Sequence, residues 1–128
     1  MATTSRIVIT SDLLSSSLTI DATATLTQAG GSTAIAETSG LGVTKNVGDT
    51  NQYTLQLAAS YTNDKAHKVY VRNASTNAEH YIVIAIASQE LGRLYAGDVA
   101  LIPWNGNADF KITPSHDQIS VEHAIFFE

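Results

Sequence analysis

Four histidines, His67, His80, His116 and His123, are the side chains best suited to metal binding or proton transfer in a chain that has no cysteine. None stands in a His-x-His or His-x-x-x-His pair, so a site would have to be assembled from distant segments. Isolated histidines are mostly structural or exposed, and loop or strand-face positions are the expectation here. For His123 the expectation is sharper. Strand alternation puts it with Val121 and Ile125 on one face, with Glu122, Ala124 and Phe126 on the other, so a hydrogen-bonded interior histidine is expected.

Nucleophilic chemistry finds no better support. Serines are plentiful, but no Gly-x-Ser-x-Gly elbow occurs, and Gly30-Gly31 does not lead into a helix with Lys-Ser or Lys-Thr. Asp98, Asp109, Asp117 and Glu122 have nothing in their spacing to single them out. The expectation is a protein that is not an enzyme, with no catalytic residue, metal or cofactor. The single tryptophan, Trp104, sits between Pro103 and Asn105-Gly106 and has two readings: it caps one end of the core, or it is an interface anchor.

The elements that must carry these residues read as strands. Leu18, Ile20, Ala22, Ala24 and Leu26 alternate with Thr19, Asp21, Thr23, Thr25 and Thr27, the pattern of a strand with one face in a core and one in water. Gly30-Gly31 reads as a primed hairpin turn. Tyr53, Leu55 and Leu57 are expected inward, and Ser60 to His67 as an exposed loop. Lys68 to Asn73 and Tyr81 to Ala87 read as a strand pair, the second apolar on both faces and hence central. Ala96-Gly97-Asp98 turns before Val99 to Trp104; Phe110 to Thr113 and Ser120 to Glu128 follow. Eight to ten short strands at even spacing predict an all-β, single-domain antiparallel β-sandwich, jelly-roll-like, over residues 6–128, after a mobile segment 1–5. Residues 1–17, with Asp12-Leu13-Leu14, are read as an arm that orders on a partner, or, over Arg6 to Thr10, as simply the first strand.

Composition bounds the partners. At 128 residues one ordinary core is feasible without disulfides. A net charge of -5 with seven scattered basic residues disfavours nucleic acid, which needs clustered Lys and Arg. No export signal and no 18-residue apolar run predict neither secretion nor a membrane span, so the sequon Asn73-Ala74-Ser75 is expected to stay unmodified. Hydroxyls replace charge: 15 Thr and 12 Ser, a composition that suits strands whose outer faces are packed in an assembly.

Two resemblances add to this. Gly97-Asp98-Val99-Ala100-Leu101-Ile102-Pro103 resembles the second motif of the cupins, but no histidine follows at the expected distance and the first motif is missing; this implies a jelly-roll hairpin without its metal. More broadly, Val69 to Asn73, His80 to Ile84, Leu91 to Trp104 and Val121 to Glu128 resemble small virion structural proteins of tailed bacteriophages. That resemblance covers about Lys68 to Glu128, with a looser likeness in Arg6 to Leu26. It implies a protein that decorates or cements a capsid shell by bridging capsomers. Its partners would be the major capsid protein and further copies of itself in a homo-oligomer, assembled in the host cytoplasm and located in the virion. Arg6, Ile7, Leu13, Leu14, Trp104, Phe126 and Phe127 are the candidate interface residues. A neck or tail adhesin binding a host glycan through Trp104 to Asp109, and a metal-less cupin-like binding domain, are the alternatives.

Overall fold

A computed structural model describes residues 3–12 and 17–128. Eleven strands form among them: β1 (Thr4–Ser11), β2 (Leu18–Thr25), β3 (Glu37–Thr38), β4 (Gly42–Lys45), β5 (Tyr53–Gln56), β6 (His67–Asn73), β7 (Tyr81–Ile86), β8 (Gln89–Tyr95), β9 (Val99–Trp104), β10 (Phe110–Pro114) and β11 (Ser120–Phe127). The only helical element among the described residues is a 3-10 turn at Ala58–Ser60. Every pairing among the described strands is antiparallel, and the fold is an all-β sandwich.

One sheet runs β11–β6–β9, with β3 and β4 sharing the far edge of β11. The other runs β5–β10–β7–β8. Period-two alternation turns Val69 and Val71 of β6, Val121 and Ile125 of β11, Ile82 and Ile84 of β7, and Phe110 and Ile112 of β10 into one shared core. Each such side chain, fully buried, stabilises by roughly 2 kcal/mol. Ile82, Ile84 and Ile86 of β7 alternate toward the core without a break, and Ala85 between them is buried on the opposite face, which accounts for the two-faced apolar run in the sequence; the bulge falls in β8, where Leu91 stands without a partner between Glu90 and Gly92.

Polar groups tie the layers. Asn73, fully buried at the end of β6, donates from Nδ2 to the carbonyls of Leu94 (2.9 Å) and His80 (3.2 Å) and accepts the Ser75 N–H at Oδ1 (3.0 Å). The sequon asparagine is therefore enclosed. Glu128 accepts the N–H groups of Ala29 (2.7 Å) and Ala66 (3.2 Å), fastening two loops to the end of β11.

Several expectations need correction. Lys68 to Asn73 and Tyr81 to Ala87 are not paired: β6 and β7 lie in opposite sheets, since β6 finds its partners in β11 and β9. Leu57 is exposed, while Gln56 is buried because the chain turns into the Ala58–Ser60 helix after β5. Thr4 and Ser5, assigned to the mobile segment, are inside β1 opposite Thr25 and Ala24. Gly30-Gly31 belongs to a longer turn closed by a bridge between Thr27 and Ala34, with the Gln28 N–H donating to the Thr33 carbonyl. The largest departure concerns β2. Every residue of Leu18–Thr25 is exposed, so neither face of this strand is in the core.

Candidate functional site: a projecting arm and the groove beside it

β1 and β2 form a two-stranded sheet in register from Thr4 opposite Thr25 to Ser11 opposite Leu18. Alternation sorts the hairpin into two faces. Ile7, Ile9, Leu18, Ile20, Ala22 and Ala24 share one; Thr4, Arg6, Thr10, Thr19, Asp21, Thr23 and Thr25 share the other with Val8. The wet face is closed by a bidentate pair, Arg6 Nε to Asp21 Oδ1 at 3.0 Å and Nη2 to Oδ2 at 2.8 Å, which lowers the carboxyl pKa of Asp21. The apolar face has no such closure: Ile7, Ile9, Leu18 and Ile20 are each 41–50 % exposed. A lone two-stranded hairpin is marginal in water, so an arm of this kind depends on what covers it.

At its base the arm is anchored by buried Leu26, whose N–H donates to Thr3 O (2.9 Å) and whose carbonyl accepts the Ile35 N–H (2.8 Å). Beside it lies a groove of about 660 Å³ between β1 and the outer face of the five-stranded sheet. Tyr70, Leu101, Ala124 and Phe126 form the sheet side of that groove. The sheet's outer face also carries Val43 and an Arg72–Glu122 pair at 3.4 Å.

Of the residues expected at an interface, the structure brings Arg6, Ile7 and Phe126 together around the groove. Trp104 is instead in the core, and Phe127, partly buried, packs against it. Trp104 is 2 % exposed and donates its indole N–H to the Ala108 carbonyl at 2.8 Å. Tyr61 packs edge-on against both aromatic rings, at 5.4 Å to Trp104 and 5.3 Å to Phe127. Trp104 therefore caps the core, and the adhesin reading loses its aromatic platform. The polar loop around it is occupied internally: Asp109 accepts the Ala58 N–H, and Asn107 and Asp64 bond each other. Leu13 and Leu14 lie outside the described residues. Sequence reasoning missed Leu101, Tyr70 and Ala124, whose outward positions follow only from the pairing of β6 with β9 and β11.

The four histidines do not form one cluster, although two of them meet. His67 is buried, with Nε2 2.9 Å from the Thr62 carbonyl and Nδ1 accepting the Glu128 N–H at 3.3 Å. His123 Nε2 lies 2.8 Å from Thr44 Oγ1, and burial lowers its pKa. His80 and His116 stack at 4.5 Å between centroids, each Nδ1 against a serine hydroxyl, Ser75 and Ser115. Among the described residues no three His, Asp or Glu side chains gather as a metal site, and no helix is long and apolar enough to cross a membrane.

No family model, curated protein or solved structure matches this chain.

Proposed function

We propose that the chain is a structural protein rather than an enzyme, and that it decorates or cements a capsid shell of the tailed-phage type. The observation that carries the reading is the β1–β2 arm, which holds four large apolar side chains half exposed beyond the sandwich. A protein whose arm is incomplete by itself is suited to docking on an ordered surface. Copies at capsomer boundaries would each bury arm and sheet face, and separating the lattice would require breaking many such contacts together.

Strand order adds support. From β4 to β11 the chain deals its strands into orders β4–β11–β6–β9 and β5–β10–β7–β8, the interleaving expected of a jelly roll, an architecture used by viral capsid proteins as well as lectins and cupins. The resemblance of Lys68 to Glu128 to phage virion proteins favours the first of these uses.

The test is cryo-electron microscopy of phage particles from the source genome, together with co-sedimentation of the purified chain with shells of the major capsid protein. Many copies at capsomer boundaries, lost when Ile7, Ile9, Leu18 and Ile20 are changed to serine, is the expected result. Density confined to the neck or tail would shift the role to a connector or adhesin. Absence from the particle would overturn the reading.

A further inference from the structure

The arm side of the groove is lined by the consecutive residues Thr3 to Val8, from both faces of β1, and by no residue of β2. A wall of that kind is the strand's edge. β2 occupies one edge of β1, and no other strand pairs with it among the described residues, so the backbone N–H and C=O groups facing the groove are open to a further strand.

We infer that the occupant is β1 of a second copy, paired antiparallel across a two-fold axis to give a continuous four-stranded sheet β2–β1–β1–β2. This rests on the reading of the arm as a docking surface, but it is a property of the isolated protein. Two observations favour a second copy over an unrelated strand. The first is self-compatibility. Residues directly opposite in an antiparallel pair share a face, so both copies keep Ile7 and Ile9 on one side only when the axis passes through a residue. With the axis at Ile7 or at Val8, Arg6 faces Val8 or Thr10 of the other copy and never its own equivalent, so the one charge of Thr4–Ser11 meets no like charge. The second is area. Ile7, Ile9, Leu18 and Ile20 on one face of the arm, with Leu41, Val43 and Val99 beside it, are 41–68 % exposed. Together they present on the order of 600 Å², most of the ~800 Å² that one partner contributes to a standard-size interface. An isologous pairing also closes on itself and leaves no open edge of β1 to propagate.

The native chain has no cysteine, so one introduced thiol reports one contact. Opposed Cα atoms in an antiparallel pair lie about 4.5–5.5 Å apart, within disulfide reach. Ile7→Cys or Val8→Cys, whichever lies on the axis, should convert to a covalent dimer under mild oxidation, while Leu57→Cys, exposed on the other side of the chain's fold, stays monomeric. Unmodified protein should run as a dimer in light scattering. Val8→Lys, which sets a positive charge against Asp21 within its own arm but against Arg6 or its own equivalent across the axis, should run as a monomer, with the unfolding midpoint of wild type diluted below its dimer Kd. A wild-type monomer at about 100 µM, well above the micromolar Kd that interfaces of this size reach at their weakest, would overturn the pairing. So would a dimer indifferent to Val8→Lys with no crosslink at either position. A monomer that still binds shells overturns the pairing and leaves the capsid reading standing; a dimer that ignores shells upholds the pairing and removes the capsid reading.

Discussion

Asn73 Nδ2 donates to the carbonyl of Leu94 across the sandwich at 2.9 Å, joining the end of one sheet to an outer strand of the other. The same amide serves His80 O and Ser75 N–H, so truncation orphans three backbone groups at once. Asn73→Ala should lower stability by about 2–4 kcal/mol, since buried groups left without partners carry their full desolvation cost. Urea unfolding measures it; a loss within experimental error would mean water replaces the amide at this site.

Gly106 and Gly97 both adopt left-handed backbone, at φ +79° and +85°, but only Gly106 is crowded: a Cβ there would stand 2.8 Å from the Thr62 carbonyl and 3.2 Å from His67. Gly97→Ala should cost about 1 kcal/mol from backbone strain alone. Gly106→Ala should cost clearly more, because the clash is with main chain and displaces the His67 contact to Thr62. Thermal unfolding of the two variants side by side checks the ordering; equal losses would show that the Thr62 loop yields freely.

Core and arm should answer mutation differently. Ile112→Ala deletes a fully buried side chain and is expected to cost about 2–5 kcal/mol. Ile9→Ser or Ile20→Ser, at half-exposed arm positions, should change monomer stability by no more than about 0.5 kcal/mol. Denaturant midpoints at low protein concentration separate them. A large loss from Ile20→Ser would mean that the arm is packed on its own sandwich.

Acid stability should fall in two steps. Burial disfavours the His123 imidazolium and lowers its pKa from the ordinary 6.5. For Glu128 burial pushes upward, but the N–H groups of Ala29 and Ala66 and the Lys65 ammonium together bring its pKa below 4.5. In both cases the unfolded chain binds the proton first. The stability each group contributes is therefore complete above its unfolded pKa and is lost as pH falls through the folded one. The urea midpoint should begin to decline near pH 6.5 and decline further below pH 4.5. His123→Gln should remove the first step and Glu128→Gln the second. At the alkaline end, burial pushes Tyr53 up to about 12, so its share of stability is lost as pH rises from 10 through that value.

The all-β class, most strand positions and the inward residues of β6, β10 and β11 were legible in the chain, because a strand buried on one face by its own neighbours writes period two into the sequence. His123 beside the core could be read the same way. Three things could not. Which strands pair is one: β6 and β7 follow each other yet lie in opposite sheets, since connectivity is decided by how the two layers close over a shared core. The second is what an alternating pattern faces. Leu18–Thr25 alternates as regularly as any core strand, but every one of its residues is exposed; alternation records that a face wants burial and not what will bury it. The third is the fate of single residues, where Trp104 is enclosed by Tyr61, His67 and the Ala108 carbonyl, and Phe126 is turned outward into the groove while its neighbour Phe127 is turned inward. Local sequence determined periodicity and hence class; contacts between residues far apart in the chain decided the pairing, the direction of each face and the groove beside the arm, because burial is a property of the whole packed molecule.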